Sequence, residues 1–444
     1  MSSLILDYFK KNSLHIFIKS DTIVLTYFDC LNIIYYLTQA LKEHNIFKKR
    51  VLLCIPNSIE SQLLFLALCH TNDVVLLNPE HNNFFIENFQ KEFDIDIIIS
   101  ERNFLNSINF LKHINFNLSL CKTYTEKEPE LYLGSICLIT SGTTGKPGPV
   151  VIMHKEIVEY GKLLLSYFDI GVDDCLYNII PFYHGYGVTR LITVIVSGSS
   201  AFIPKTVSAT RIIDDINQYQ CTWTSLIPRL VKIINKTQTE LWEGFKFATS
   251  SSALIDIPSL SKFQDITKKP IFVEYGCSEA SIISSNTFSE NKPGSMGKVN
   301  NSQCKIKDGK IMVIPAWKNS KEYIDTGDIG FIDSDNFLWI NGRSKEIIKK
   351  NGRTIFPYEL EFVIQQFPGV EDVAAYSINP MSDRETIGVV YVGECSEETV
   401  IKLCQQHFLP FYRPDQVLKI KSIPHQGNKL KRLEINNYVN SLQQ

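Results

Sequence analysis

Thr140-Ser141-Gly142-Thr143-Thr144-Gly145-Lys146-Pro147 follows directly on an apolar run at residues 136–139. The eight residues contain four hydroxyl side chains, two glycines and one lysine. Glycine lets backbone N–H groups point toward a common centre, hydroxyls add further donors, and lysine adds a positive charge. A strand that leads into such a loop can therefore close around a polyanion, although similar clusters also occur in ordinary surface loops.

The residues after the loop distinguish it from a nucleotide-binding P-loop. Residues 150–152 predict a second strand, and a helical pattern with apolar residues at 157, 160, 164 and 168 begins at His154. A P-loop has four residues between its glycines and a Lys-Ser or Lys-Thr pair at its end. Here two residues separate the glycines and proline follows the lysine, so we do not expect a P-loop NTPase.

The loop resembles the phosphate-binding signature of the adenylate-forming (ANL) superfamily, which includes acyl-CoA synthetases, the adenylation domains of peptide synthetases and luciferases. Their usual sequence is S-G-T-T-G-x-P-K-G. This chain follows it through Pro147 but has Gly148 in place of the lysine and Pro149 in place of the glycine. The resemblance implies that the loop binds the phosphates of ATP, with Thr144 also near Mg²⁺. The loop residues that it assigns to ATP are Thr140, Ser141, Gly142, Thr143, Thr144, Gly145 and Lys146.

Length, charge and cysteine usage narrow the class of protein. A chain of 444 residues with 44% hydrophobic content can form two or three domains with a sizeable core. The formal net charge of −2 predicts no general affinity for nucleic acid or anionic membranes. Eleven scattered cysteines without a C-x-x-C spacing argue against a disulfide framework and a structural zinc site. The sequence shows neither an apolar run of roughly 18 residues nor the features of a signal peptide, so we expect a cytoplasmic protein.

Strands and helices alternate in the first half of the chain. The patterns predict strands at 50–55, 73–77 and 95–100, and a helix at 59–70 that Ser58 caps. Alternation of this kind predicts an α/β fold of largely parallel sheets covered by helices.

A domain boundary is expected in the last third of the chain. The resemblance implies a large N-terminal AMP-binding domain at 1–344, which includes a small β-barrel-like subdomain, and a small mobile α+β domain at 345–444. Lys345 would be the hinge between them. Before the boundary, residues 333–336 predict a turn between two strands. After it, Pro357 predicts the start of a helix, because proline is favoured at the first helical position.

The segment at 181–187, Pro-Phe-Tyr-His-Gly-Tyr-Gly, resembles the aromatic turn beside the bound carboxylate in this superfamily. A histidine in an aromatic loop is by itself more often a packed or a surface residue. The resemblance makes His184 a catalytic gate at the acyl site. Amino-acid-activating members carry an aspartate near this position, and its absence here disfavours an α-amino acid substrate. The acyl pocket is expected to contain Tyr183, Tyr186, Ser225, Ser251 and Cys277, which suit a modest acyl or aryl group at least as well as a long chain.

The segment at 274–279, Glu-Tyr-Gly-Cys-Ser-Glu, resembles the motif Y-G-x-T-E, with Ser278 in place of threonine. Tyr275 can stack on a purine, and Ser278 can bond to a phosphate oxygen. Glu279 can bind Mg²⁺ directly or through water, because hard cations prefer oxygen ligands. Without the neighbouring motifs, a turn at the end of a strand explains the same residues equally well. The resemblance also assigns ATP binding to Glu274, Gly276, Ser252 and Ala253.

Residues 323–328 resemble the motif Y-x-x-T-G-D. The carboxylate of Asp328 can accept hydrogen bonds from two vicinal hydroxyls, which suits the ribose of ATP. Arg343 follows at the spacing that the superfamily shows, and its planar guanidinium can bind the same sugar or a phosphate.

The C-terminal region carries the remaining assigned residues. In thioester-forming members, the loop after the hinge lets the pantetheine arm pass, and Gly352 occupies the position of its glycine. Residues 423–432 resemble P-x-T-x-x-G-K-x-x-R, which makes Lys429 the catalytic lysine, with Asn428 where glycine is usual. A lone lysine near a C-terminus is otherwise nearly always exposed to solvent, so this assignment rests on the resemblance.

The resemblance implies a ligase that uses ATP and Mg²⁺ to form an acyl or aryl adenylate and then transfers the acyl group to coenzyme A. Loading of a carrier protein through its phosphopantetheine is the alternative within the same chemistry. A catalytically silent nucleotide-binding homologue is the alternative from another class. The expected partners are a small carboxylic acid and the thiol acceptor, with neither nucleic acid nor a membrane. Monomer and homodimer are both compatible with the sequence.

Overall fold

The computed structural model describes residues 4–79, 86, 89–91, 93–102, 107–121, 130–132, 134–140, 148–237, 239–299, 303–318, 320–350, 353–380, 385–426, 429–430 and 432–442. The chain divides into two compact units. The first unit consists of Met1–Ser251, Ser259–Asn291 and Ile314–Lys321, and the second of Ser252–Pro258, Lys292–Val313 and Glu322–Gln444. The predicted domain boundary at Lys345 stays a prediction.

The first sheet is built from strands of the N-terminal region. The strands of this region are β1 (Ile16–Lys19), β2 (Val24–Thr26), β3 (Arg50–Cys54), β4 (Asp73–Leu76), β5 (Ile97–Ser100), β6 (Ser107–Ile108), β7 (Ser135–Thr140) and β8 (Gly148–Met153). Six of them form a sheet in the order β6-β5-β3-β4-β7-β8, in which only the β7–β8 pair is antiparallel. Strands β3, β4 and β5 confirm the three strands that the sequence predicts, with ends shifted by one or two residues.

A second sheet of the first unit uses the strands that follow. They are β9 (Cys175–Tyr177), β10 (Ser200–Phe202), β11 (Trp223–Leu226), β12 (Phe247–Ser250), β13 (Ile271–Cys277) and β14 (Ser281–Ser285). With β1 and β2 they lie in the order β14-β13-β12-β11-β9-β10-β1-β2. The strands from β13 to β1 in this order are parallel, and β14 and β2 are antiparallel to their neighbours. The predicted α/β architecture of largely parallel sheets is confirmed.

Helices connect these strands, and the best predicted of them is Ile59–Cys69. The side chain of Ser58 accepts a hydrogen bond from the N–H of Ser61 at 3.1 Å, and the Ser61 hydroxyl oxygen accepts one from the N–H of Ser58 at 2.7 Å. These two bonds satisfy N–H groups that the first helical turn leaves unpaired, which fixes the start of the helix. The other helices up to residue 267 are Leu4–Lys11, Tyr27–Glu43, Phe110–His113, Leu118–Cys121, Ile157–Lys162, Gly185–Ser197, Ile212–Gln218, Pro228–Ile234 and Ile257–Thr267.

The second unit begins with short antiparallel strands. Its first strands are β15 (Lys298–Val299), β16 (Cys304–Lys307), β17 (Lys310–Val313), β18 (Ile324–Ile332) and β19 (Leu338–Arg343). Strands β16 to β19 form a four-stranded antiparallel sheet in chain order. The predicted turn at 333–336 connects β18 to β19, as expected.

The rest of the second unit has an α+β pattern with its own core. The remaining strands are β20 (Ile348–Lys350), β21 (Arg353–Ile355), β22 (Val370–Ser377), β23 (Ile387–Gly393), β24 (Gln416–Lys419), β25 (His425–Gln426) and β26 (Lys429–Leu430), and the helices are Pro357–Ile364, Glu397–His407 and Arg432–Leu442. Pro357 starts a helix, as predicted, and Leu360 and Ile364 of that helix are buried in a cluster with Val389 and Tyr391 of β23.

Within the described ranges, every helix is too short or too polar to cross a lipid bilayer.

Candidate active site

The loop that opened the sequence analysis joins two antiparallel strands. Thr140, the last residue of β7, is the cross-strand partner of Gly148, the first residue of β8. A short 3-10 turn at His154–Glu156 and the helix Ile157–Lys162 follow, so the predicted strands on either side of residues 141–147 and the helix after them are confirmed. Residues 141–147, which include Ser141, Gly142, Thr143, Thr144, Gly145 and Lys146, and the side chain of Thr140 lie outside the described part of the chain. Their assignment to phosphate binding stays a prediction.

The aromatic turn at 181–187 leads into the helix Gly185–Ser197. His184 lies immediately before this helix with an exposed side chain, and its ring centre is 4.9 Å from that of Tyr183. Gly185 approaches two other motifs so closely that a Cβ at this position would lie 3.3 Å from Leu138 Cδ1 and 3.3 Å from Ser278 Oγ. The fold thus brings together the aromatic turn, the strand that leads into the loop and the 274–279 segment.

The 274–279 segment forms the end of β13 and the turn into β14. Cys277 is the cross-strand partner of Ser281, so Ser278 and Glu279 lie in the tight turn between the strands. A Cβ at Gly276 would lie 2.2 Å from the carbonyl oxygen of Ser281, which explains why glycine is needed here. Tyr275 is buried, whereas the side chains of Ser278 and Glu279 are half-buried at the turn.

Glu279 suits a magnesium ion that keeps most of its own water. Mg²⁺ is commonly held by one or two carboxylates together with substrate phosphates. The half-buried Glu279 can supply one such carboxylate oxygen. No group of three or more His, Cys, Asp or Glu side chains that could hold a metal ion occurs among the residues whose positions are described. Thr144, the second predicted ligand, lies outside the described residues.

A fully buried ion pair lies beside this segment, and sequence reasoning missed one of its members. Arg190, in the helix Gly185–Ser197, forms an ion pair with Glu274 of β13, and their side chains are 0% and 1% exposed. The sequence signal was available, since Arg190 is the one charged residue in the apolar stretch at 188–196. Burial raises the pKa of the Glu274 carboxyl, and the positive charge of Arg190 opposes this rise.

Hydroxyl groups from two parallel strands and from the helix Gly185–Ser197 surround this pair. Ser225 of β11 and Thr249 of β12 are direct cross-strand partners, and their hydroxyl oxygens are 3.0 Å apart. Arg190 donates from Nε to Ser225 at 2.5 Å and from Nη2 to Thr249 at 3.3 Å. The hydroxyl of Tyr186 lies 3.2 Å from that of Thr249, and the Tyr186 ring centre is 4.3 Å from the guanidinium carbon. Tyr186 and Ser225, two predicted acyl-pocket residues, therefore share one polar cluster.

The small residues Ser251, Ser252 and Ala253 follow β12 in the chain. The N–H of Ser251 donates to the carbonyl oxygen of Leu226, the last residue of β11, at 3.3 Å, so Ser251 lies beside the carboxyl end of that strand. Ser252 has a φ of 78°, a left-handed conformation that non-glycine residues seldom adopt, and both Ser252 and Ala253 are exposed. Their predicted contact with the nucleotide stays a prediction.

In the second unit, Asp328 and Arg343 meet on adjacent strands. They are cross-strand partners in β18 and β19, and Arg343 Nε lies 3.0 Å from Asp328 Oδ1. Lys345 is exposed in the turn that follows β19. Arg343, the last residue of β19, therefore lies two residues before the predicted hinge residue in the chain.

A second arginine, almost buried, lies three residues after the predicted catalytic lysine. Arg432, at the start of the last helix, forms ion pairs with Glu346 at 2.9 Å and with Glu361. The backbone of Lys429, in β26, pairs with that of Gln426 in β25. The Lys429 side chain and Gly352 lie outside what the structure describes, so both assignments stay predictions.

Comparison with known proteins gives a family and a set of relatives. A family model described as AMP-binding enzyme matches residues 9–318. The oxalate–CoA ligase of Arabidopsis thaliana is 26% identical over 332 residues, which cover 66% of this chain and 64% of that protein. The chain thus spans slightly less than two thirds of that relative. The 2-succinylbenzoate–CoA ligase of Lactococcus lactis is 24% identical over 421 residues, which cover 87% of this chain and 90% of that protein.

Solved structures with the same fold include o-succinylbenzoate coenzyme A synthetase (MenE) from Bacillus subtilis. Its complex with ATP and magnesium has a TM-score of 0.83 and 20% identity, and covers 98% of this chain and 99% of that chain. Its complex with the acyl-adenylate intermediate has a TM-score of 0.83 and 19% identity, and covers 98% of both chains. At these identities the likeness establishes the fold, and it confirms the fold class that the sequence predicts.

Proposed function

The chain belongs to the AMP-binding enzyme family, and from that premise we propose that it is an ATP-dependent ligase that joins a carboxylic acid to coenzyme A. Its first step would form an acyl adenylate and pyrophosphate, and its second step an acyl thioester and AMP. Both curated relatives described above are named CoA ligases, and the MenE structures contain ATP with magnesium or an acyl adenylate.

One observation carries this proposal, namely the convergence of three motifs in the first unit. Gly185 of the aromatic turn lies against Leu138 of β7 and against Ser278 of the turn after β13. An acid held at the aromatic turn and a phosphate held at Ser278 would be neighbours. Such proximity is what attack of a carboxylate on phosphorus requires, because positioning supplies much of the rate when both reactants are bound.

In the first step, a carboxylate oxygen forms a bond to the α-phosphorus of ATP. The bond from that phosphorus to the oxygen shared with the β-phosphate breaks, and pyrophosphate leaves with the electron pair. Because both reactants are anionic, the protein must position them and offset their charge. We assign this role to Lys429, which would contact the attacking carboxylate and the α-phosphate, and to the loop at 140–146, which would hold the β- and γ-phosphates.

We assign the other nucleotide contacts from the sequence motifs. The buried ring of Tyr275 would stack on the adenine, and the hydroxyl of Ser278 would donate to a phosphate oxygen. Asp328 would accept hydrogen bonds from the ribose hydroxyls, and Arg343 would hold it in place. Glu279 would hold Mg²⁺, which when bound offsets phosphate charge.

In the second step, the sulfur of the thiol attacks the acyl carbonyl carbon. The bond from that carbon to the AMP oxygen breaks, AMP leaves, and the thiol proton is released. The C-terminal residues after Lys345 would rotate between the steps, so that Lys429 withdraws and Gly352 lets the pantetheine arm pass. His184, exposed beside the aromatic turn, would gate access to the acyl site. We place this reaction in the cytoplasm.

Hydroxylamine trapping of the acyl adenylate tests the proposal. Wild-type protein with ATP and Mg²⁺ should form a hydroxamate with one class of carboxylic acids, and Glu279→Gln should form much less. Mass detection of acyl transfer would then compare coenzyme A with phosphopantetheinylated carrier proteins, and we expect coenzyme A to be the acceptor. A protein that binds ATP but gives no hydroxamate with any acid would instead be the silent homologue.

A further inference from the structure

The ion pair of Arg190 and Glu274 keeps two polar atoms unused. Nη1 of Arg190 and Oε1 of Glu274 are both buried, and neither has a hydrogen-bond partner among the described residues. The nearby hydroxyl of Thr249 already contacts Arg190, Ser225 and Tyr186. A buried polar atom without a hydrogen-bond partner costs free energy. A ligand that forms hydrogen bonds with both atoms would remove this cost, so the pair is suited to bind one.

The two unused atoms have opposite hydrogen-bonding character. Nη1 is a donor, and Oε1 of an ionised carboxylate is an acceptor. They belong to side chains from different elements, the helix Gly185–Ser197 and strand β13, which face each other at the carboxyl ends of β11, β12 and β13. In parallel sheets this edge is where ligands commonly bind.

We propose that Arg190 and Glu274 select the acid by binding an uncharged polar group on its acyl chain. Such a group, a carboxamide or a hydroxyl, would accept a hydrogen bond from Nη1 of Arg190 and donate one to Oε1 of Glu274. This inference rests on the proposed function, because it takes Tyr186 and Ser225 as walls of the acyl pocket.

The charges of the pair exclude the other classes of acyl chain. Glu274 would repel a second carboxylate on the acid. Arg190 would not compensate for this repulsion, because its charge is already offset by Glu274. The positive charge of Arg190 would likewise repel an ammonium group on the acid. An alkyl chain would cover both unused atoms without pairing either of them. A neutral group that both donates and accepts is the class that satisfies the site.

Four acids of equal length separate these classes. Succinamic acid ends in a carboxamide, succinic acid in a carboxylate, 4-aminobutyric acid in an ammonium group and pentanoic acid in a methyl group. Hydroxylamine trapping would test each acid as a substrate. Calorimetry would measure the binding of the acylsulfamoyl adenosine made from each acid. The series one carbon shorter and one carbon longer would be run in parallel. We expect the carboxamide to be preferred over the methyl group by roughly a hundredfold at its best length, because the methyl group leaves buried polar atoms unpaired.

Single substitutions should redirect the preference in opposite directions. Glu274→Gln leaves the charge of Arg190 without an offset and should favour the succinyl compound. Arg190→Gln leaves Glu274 as the only charge and should favour the 4-aminobutyryl compound. Asp174→Asn is the matched control, because Asp174 is a buried carboxylate paired with Lys246 at the opposite, amino-terminal end of β9, and it should leave the order of the four acids unchanged.

The outcomes are distinct. Preference of the wild type for the pentanoyl, the succinyl or the 4-aminobutyryl compound overturns the inference while the ligase function stands. Tight binding of the carboxamide analogue without hydroxamate formation supports the pair and contradicts the ligase function. If either variant fails to fold, as its melting curve would reveal, the order of the wild type among the four compounds still decides the inference.

Discussion

Asp328 and Arg343 face each other across two antiparallel strands, with Arg343 Nε 3.0 Å from Asp328 Oδ1. The Asp328 side chain is 10% exposed and that of Arg343 is 47% exposed. An ion pair with one member this accessible contributes little to stability. Under the proposed function this carboxylate would bind the two ribose hydroxyls of ATP, and Arg343 would hold it in place.

Replacement of this carboxylate should weaken ATP binding. We expect Asp328→Ala to raise the KM for ATP by roughly ten- to a hundredfold, because hydrogen bonds to a charged group are lost. Steady-state pyrophosphate exchange at varied ATP would measure the change. Asp325→Asn, on the same strand but paired with Lys310, is the control and should leave KM unchanged. An unaltered KM in Asp328→Ala would remove Asp328 from the ribose site.

The predicted catalytic lysine should matter for one half-reaction only. We expect Lys429→Ala to abolish pyrophosphate exchange and largely to preserve thioester formation from a supplied acyl adenylate, because its charge is needed only while the carboxylate attacks the phosphate. Quenched assays of each half-reaction would measure the two rates. Lys421→Ala, an exposed lysine nearby in sequence, is the control. Equal loss of both half-reactions would refute this division of roles.

Arg432 should be needed to hold the C-terminal strand and helix in place. It is almost buried between Glu346 and Glu361, so its removal leaves two carboxylates without their cation. We expect Arg432→Gln to destabilise the second unit by about 3–5 kcal/mol. Arg432→Lys should recover part of this loss, because lysine keeps the charge but not the fork of donors. Urea unfolding followed by limited proteolysis would measure both variants, and equal stability of Arg432→Gln and wild type would contradict the assigned role.

Two buried histidines should make the first unit sensitive to acid. The rings of His70 and His154 are 4.9 Å apart, and burial lowers the pKa of His70 to about 4 and that of His154 to about 3. Below the ordinary value of about 6.5, the unfolded chain binds protons that the folded chain does not, so stability falls as the pH drops from there toward 4. For His70, the loss in the free energy of unfolding amounts to about 3 kcal/mol.

The melting temperature between pH 7 and pH 4 checks this expectation. His154→Phe keeps a ring against His70 but cannot bind a proton, so its melting temperature should fall less steeply with pH than that of the wild type. The exposed His15 provides a control, His15→Gln, whose pH dependence should match the wild type. If the melting temperatures of wild type and His154→Phe fall equally with pH, the histidine pair does not take up protons when the chain unfolds, which would contradict this expectation.

The features that local sequence determines were predictable. The cap at Ser58, the helix start at Pro357 and the order strand–loop–strand around residues 141–147 each depend on neighbours within a few residues. The buried positions at Ile157, Tyr160, Leu164 and Phe168 follow a helical period for the same reason. Short-range hydrogen bonds and the alternation of apolar residues carry this information, and one sequence is enough to see it.

The features that depend on distant contacts were not predictable in the same way. Arg190 and Glu274 are 84 residues apart, and only the packing of a helix over β13 brings them together. The sequence therefore suggested nucleotide binding for Glu274 and gave Arg190 no role. The approach of Gly185 to Leu138 and Ser278 has the same origin, since its partners come from separate strands. Motif spacing suggested that Asp328 and Arg343 bind the same nucleotide, but their cross-strand ion pair appears only in the folded sheet.

Quantification of both products in a single incubation tests the central claim most directly. Wild-type protein would be incubated with ATP, Mg²⁺, coenzyme A and the preferred acid, and nucleotides and thioesters would be measured by mass spectrometry. Formation of AMP and acyl-CoA in equal amounts, dependent on the acid, is the result that adenylate chemistry predicts. Formation of ADP, or of acyl-CoA without AMP, would contradict it.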